Sequence, residues 1–188
     1  GTLLYAWIDS WVFAVGFGGT ILHYDGSSWS RMTTGSTSDL WGVWGASGSD
    51  VFAVGANGTA LHYNGSAWSA TATTGTSNLL THVWGASKNA VFAVGYGGTI
   101  VRYDGSVWTP MASGLTQRIH GVWGTSATNV YAAALDEAKL LQYAGTSWST
   151  AVTVGKPFWG VWGTSGTAIY VVGACTVCPI VRYDGATA

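Results

Sequence analysis

The chain has 188 residues, of which 48% are hydrophobic and only 8% charged, with 12 Trp, 28 Gly and 3 Pro; soluble domains carry roughly 25% charged residues. A net charge of −1, from 7 Lys and Arg against 8 Asp and Glu, supplies no basic face for nucleic acid or for an anionic membrane. No apolar run approaches the ~20 residues needed to cross a bilayer, so membrane insertion is not expected.

In chain order, the opening Gly1-Thr2-Leu3-Leu4-Tyr5 lacks the basic stretch of a signal peptide, as expected of a mature or excised segment. Then Val12-Phe13-Ala14-Val15-Gly16 recurs from Val51, Val91, Val130 and Ile169, at offsets of 39, 40, 39 and 39. A second marker, Val43-Trp44-Gly45, returns at Val83, Val122 and Val161, and a slide of 39 puts Leu4-Tyr5-Ala6 in its slot. A third, Tyr24-Asp25-Gly26 followed by Trp29, returns with Trp68, Trp108 and Trp148, and its last copy stops before its Trp.

Within one copy the pattern predicts strand one over 40–45 and a polar turn over 46–50. Strand two, 51–55, is continuously apolar, as for a strand buried on both faces. The turn Ala56-Asn57-Gly58 leads to an alternating strand three over 59–63. Asn64-Gly65 predicts a tight type I′ hairpin, because both central residues then need positive φ. Strand four carries Trp68 and runs into a Thr-Gly linker over 73–75. No apolar pattern of period 3.6 with capping signals occurs.

Four strands at a period near 40 define a propeller blade. The predicted fold is therefore all-β: one domain, a β-propeller of about five four-stranded antiparallel blades. The blades fall near 1–39, 40–78, 79–118, 119–157 and 158–188, the last lacking its fourth strand. One such sheet cannot bury both faces alone, whereas packing blades about an axis does so. Each buried indole is worth roughly 4–6 kcal/mol as an upper bound. The recurrent Trp44, Trp84, Trp123 and Trp162, with Trp29, Trp68, Trp108 and Trp148, are expected between blades. A closed, monomeric five-blade ring is the simplest count. Membership of a larger ring, or self-association through the incomplete blade, are the alternatives.

The string Val-Gly-x-x-Gly-Thr-Ile-Leu-His-Tyr-Asp-Gly-x-x-Trp over 15–29 resembles the BNR and kelch-like propeller repeats of bacterial proteins. The resemblance covers essentially the whole chain and implies the blade layout. In size it is similar to small lectin propellers of the tachylectin type. It departs at the Asp turn, where Tyr24, Tyr63 or Tyr103 stands in place of the usual Ser or Thr. No active site carries over. Sialidases of this repeat class clamp a carboxylate with three Arg, and Arg31, Arg102, Arg118 and Arg182 with the lone Glu137 suggest no such clamp.

No catalytic constellation is expected. Asp136-Glu137 reads as a solvated hairpin tip, and Asp25 and Asp104 as turn formers. His23, His62, His82 and His120 show no metal-ligand spacing, and neither a metal nor a cofactor is expected. Cys175 and Cys178 read as a small disulfide pinning a lengthened turn, which suits an oxidising compartment. Together with the resemblance this gives an extracellular or cell-surface bacterial protein. Slots that change between copies carry individuality: Trp41, Thr81, His120 and Trp159 at the start of strand one, and His23, His62, Arg102, Gln142 and Arg182 in strand three. Polar groups beside aromatic rings suit a sugar, whose C–H face lies on a ring while its hydroxyls are hydrogen-bonded. The expected function is a non-enzymatic binding module for a glycan. The alternative is a structural or protein-interaction propeller whose partner is a protein.

Overall fold

The computed structural model describes residues 4–8, 11–173 and 180–186. Apart from two single 3₁₀ turns, Phe17–Gly19 and Ala56–Gly58, its regular structure is all strand. Five antiparallel sheets follow one another, each with its strands in sequence order. The first contains β1 (Leu4–Ile8), β2 (Trp11–Gly16), β3 (Thr20–Tyr24) and β4 (Trp29–Met32). The second contains β5 (Leu40–Ser47), β6 (Asp50–Gly55), β7 (Ala60–Tyr63) and β8 (Trp68–Ala70). The third contains β9 (Leu80–Ser87), β10 (Ala90–Gly95), β11 (Ile100–Tyr103) and β12 (Trp108–Met111). The fourth contains β13 (Ile119–Ser126), β14 (Asn129–Ala134), β15 (Lys139–Tyr143) and β16 (Trp148–Thr153). The fifth contains β17 (Phe158–Ser165), β18 (Ala168–Gly173) and β19 (Val181–Tyr183). These are the five predicted blades, the last three-stranded among the described residues.

The first strands of successive blades lie against one another around the axis. Side chains would keep them apart, and glycine lets them meet: a Cβ at Gly42 would sit 3.0 Å from the His82 Cα, and one at Gly121 3.1 Å from the Val161 nitrogen. The second strands are buried on both faces, as their unbroken apolar runs require. Alternation fails in the third strand, where Ala60 and Leu61 are both buried, because neighbouring blades cover both faces there.

Four hydrophobic clusters join first blade to second, second to third, third to fourth and fourth to fifth. The seams share two contacts, both present in the second and third. The strand-two aromatic of one blade meets the strand-four indole of the next edge-on, as Phe13 with Trp68, Phe52 with Trp108 and Phe92 with Trp148. The strand-one indole lies over a glycine of the next blade. A Cβ at Gly85, Gly124 or Gly163 would come within 2.6–2.7 Å of the Trp44, Trp84 or Trp123 ring.

Three expectations need correction. The Asn64-Gly65 turn is not type I′: only the glycine has positive φ, and Tyr63 pairs with Trp68 across a longer loop. The Asn64 carboxamide oxygen holds that loop by accepting from the Ser66 and Ala67 N–H groups. In the first blade the hairpin is one residue shorter, so Ala6 pairs with Phe13 where Trp44 pairs with Phe52. The slot of Val43-Trp44-Gly45 therefore falls on Tyr5-Ala6-Trp7, one residue later than a uniform slide gives. Finally, the recurrent indoles are not all buried. Trp68 is 7% exposed, whereas Trp29 is 51% and Trp162 58% exposed. These two sit on the outer faces of the first and last blades, and among the described residues no cluster joins those blades into a closed ring.

Candidate functional site

The variable slot at the start of strand one coincides with a β-bulge. In the second to fifth blades the pairing skips Trp41, Thr81, His120 and Trp159, while the residues on either side remain in register. A bulge re-aims its extra side chain, which frees this slot from the packing recipe. Trp41 meets Phe17 of the preceding blade edge-on at 6.3 Å. His120 and Trp159 stand with ring centroids 4.5 Å apart, and the His120 Nδ1 lies 2.9 Å from the Trp159 carbonyl. Desolvation lowers the His120 pKa, against which the Trp159 carbonyl acts in the opposite direction. Thr81 turns inward, its hydroxyl within 3.2 Å of the Val94 carbonyl and 3.0 Å of the Ile119 carbonyl, so it ties the third blade to the fourth.

Between these pairs sits a third. Arg118, immediately before β13, donates from Nε and Nη2 to the two Asp136 carboxylate oxygens at 2.9 and 2.7 Å. Its guanidinium lies 5.6 Å from the Tyr96 ring centroid of the preceding blade. The Asp136 carboxylate, and then Tyr96, raise the Arg118 pKa; the guanidinium in turn holds Asp136 below its usual range. The predicted solvated tip is thus an ion-paired turn, with Glu137 accepting from the Lys139 ammonium at 2.7 Å. Phe17, Tyr96 and Trp159 are all exposed. The edge where the strand-two-to-three turns lie is therefore a rim of three cross-blade pairs: Phe17 with Trp41, Tyr96 with Arg118, and His120 with Trp159.

His82 lines the axial wall beside this rim, in the slot that Gly42, Gly121 and Gly160 fill in other blades. Although part of its ring reaches water, crowding by the surrounding strands, and then the charge of His120, lowers its pKa to about 4. The Val122 N–H donates to its Nδ1 at 3.3 Å, which requires the lone pair of the neutral ring.

The strand-three slot does not join the rim. His62 pairs with Phe52, whereas Trp41 is bulged beside Gly55 and Val54, further along the blade. Members of this slot lie on the strand-two aromatic of their own blade. His23 is 4.7 Å from Phe13, His62 4.4 Å from Phe52, and the Arg102 guanidinium 5.7 Å from Phe92. Gln142 donates to the Tyr131 hydroxyl at 2.9 Å, Arg182 donates to the Thr167 carbonyl at 3.1 Å, and His62 also pairs with Asp50 at 2.8 Å. This slot covers blade cores rather than converging on one ligand. Among the described residues no three His, Cys, Asp or Glu side chains converge on a metal position. Cys175 and Cys178 lie outside the described residues.

Sequence reasoning passed over Phe17, Tyr96, Arg118 and His82 as binding candidates. The signal was present: Phe17 and Tyr96 share a slot that holds Ala56 and Leu135 elsewhere, and His82 replaces a glycine.

No protein-family model matches the sequence, nor does any curated protein sequence. The fold does match solved structures. YCF48 bound to D1 peptide is 16% identical with a TM-score of 0.68, over 95% of this chain and 62% of that one. The WD40 β-propeller domain of Doa1 is 13% identical with a TM-score of 0.75, over 89% of this chain and 58% of that one. A catalytically inactive virginiamycin B lyase from Staphylococcus aureus, with quinupristin, is 10% identical with a TM-score of 0.77, over 97% of this chain and 69% of that one. At such identities the likeness is one of fold: the chain is a β-propeller, and it spans about 62% of the length of YCF48.

Proposed function

We propose that this propeller is a non-enzymatic binding domain that takes an extended peptide or protein segment along its rim. The observation that carries the reading is the row of three cross-blade pairs on one edge, Phe17–Trp41, Tyr96–Arg118 and His120–Trp159. Large aromatic side chains and Arg dominate the energetics of protein interfaces. Here they extend over several blades instead of gathering at one point. The Arg118 fork is already oriented by Asp136, so little ordering entropy is lost when a ligand meets it. Asp136 and Glu137 at this edge are ion-paired and Asp39 accepts from the Gly18 N–H at 2.8 Å, so each is engaged in holding a turn, which favours binding over catalysis. YCF48, a similar fold, is described as bound to a peptide.

A second reading rests on one pair. Trp159 is 45% exposed beside His120, an indole face and a hydrogen-bonding ring suited to a single sugar. An extracellular or cell-surface setting accompanies either reading. Binding of the chain to a random-sequence peptide array and to a glycan array, repeated with Tyr96→Ala and Trp159→Ala, tests both. The peptide reading expects peptide hits that each substitution weakens at least about tenfold, as for interface hot spots. Glycan hits sensitive to Trp159→Ala alone would replace it with the sugar reading, and the absence of hits on both arrays would overturn the rim as a binding site.

A further inference from the structure

The outer face of the fifth blade is the next-facing half of a seam, and none of the described residues covers it. Position by position it repeats the faces that the second and third blades bury. Trp162 takes the place of Trp44, Tyr170 of Phe52, Val172 of Val54 and Ile180 of Ala60. The stacked geometry is kept: Trp162 and Tyr170 lie at 6.5 Å and 29°, against 6.3 Å and 29° for Trp44 and Phe52. Burial is not kept. Trp162, Val172 and Ile180 are exposed, and with Tyr170 and Gly160 they line an open cleft of about 410 Å³. An apolar patch of this kind on a soluble domain marks an interface.

We infer that the occupant of this face is a further blade of the same repeat, continuing the polypeptide past the fifth blade. Two observations choose it over a second copy of the chain. The faces of the second and third blades are covered by the blade that follows in sequence, which brings a strand-one glycine under the indole and a strand-four indole against the strand-two aromatic; the fourth is covered likewise, with Tyr183 against Tyr131. The matched propellers are also longer: this chain covers 58–69% of them, which leaves a gap of roughly two to three blades. A further blade fits that gap, whereas another five-blade arc does not.

The test extends the chain with its own sequence. A copy of residues 66–118 placed after Gly185 supplies a fourth strand for the fifth blade and one complete blade beyond it. Chains labelled with 5-fluorotryptophan, with resonances assigned through Trp29→Phe and Trp162→Phe, report solvent contact by the shift between H2O and D2O. In the original chain both resonances shift. In the extended chain the Trp162 shift is expected to vanish while the Trp29 shift persists, since the opposite face remains open. Gly85→Ala made only in the appended copy is expected to restore the Trp162 shift and lower Tm, an effect that disappears when Trp162 is Ala. Sedimentation of the original chain completes the design and is expected to give a monomer. A Trp162 shift that survives in the folded, extended chain overturns the inference. So does a dimer of the original chain with Trp162 already protected, which would make a second copy the occupant.

Discussion

A single methyl group probes how the seams are packed. The Gly85 backbone is compatible with any residue, yet its Cβ would lie 2.6 Å from the Trp44 ring. Gly85→Ala is therefore expected to cost about 1–3 kcal/mol by overpacking, read as a lower urea midpoint, and much less when Trp44 is already Ala. The repeated Val-Trp-Gly was legible in the sequence, but not that each glycine serves the Trp of the preceding copy, since that contact spans one whole repeat. Turn carboxylates give a second residue-scale prediction. The Asp25 carboxylate accepts from the Ser28 N–H first, then from the Ser27 hydroxyl and N–H, and its pKa falls to about 2. A pKa lowered by folding adds stability that is complete above the unfolded value, near 3.9, and is lost as pH falls through the folded one. The stabilisation should fade between pH ~4 and ~2, and a carboxyl ¹³C titration should place the Asp25 midpoint near 2. Asn64 makes the same backbone bonds without a charge. Asp25→Asn is thus expected to keep the turn and remove its share of the acid sensitivity in melts across this range.

At the scale of the element, each of the first three blades holds the linker that leaves it by a latch that composition only hinted at. The Ser and Thr of the linker after strand four donate to the last glycine carbonyl of the strand-two-to-three turn. These bonds are Thr34 to Gly19 at 3.0 Å, Thr74 to Gly58 at 2.8 Å and Ser113 to Gly98 at 2.7 Å. The glycines have positive φ, and a Cβ on any of them would strike a linker carbonyl at 1.9–2.1 Å. In the fourth blade Ala138, at φ 52, takes the corresponding place in a longer turn. Thr74 is buried, so Thr74→Val leaves the Gly58 carbonyl without its hydroxyl partner. The expected loss is about 1–2 kcal/mol, with faster amide exchange at Ala56 and Gly58, and Thr74→Ser should recover most of it. The strands themselves were legible because continuous apolar runs and turn residues recur in step. The Asn-Gly turn was misread because the same dipeptide serves a side-chain-capped loop when the carboxamide, rather than a second positive φ, closes it. The rim was half legible. Copy-to-copy variation pointed to Trp41, His120 and Trp159, but the bulge that re-aims them is a property of register, which no single strand reveals.

At the scale of the molecule, periodicity gave the number of blades and said nothing of closure, because every copy looks alike until its neighbours are known. Among the described residues, Trp29 and Trp162, which a closed five-blade ring would bury together, are both exposed. The described blades then form an array bent about an axis, and stability is a sum over the four seams among the described residues. One substitution should accordingly cost different amounts along the array. Trp108 is buried against Phe52, with its Nε1 donating to the Thr71 hydroxyl at 3.0 Å, and Trp108→Ala is expected to cost about 3–5 kcal/mol. Trp29 has the same place in its blade but is 51% exposed, and its ring contact among the described residues is with Tyr24 of its own sheet, at 5.4 Å. Trp29→Ala is expected to cost under about 1 kcal/mol. Urea denaturation of the two variants measures the difference directly. Equal costs would mean that the first blade's outer face is covered in solution, and the seam-by-seam sum would then have to include a fifth term.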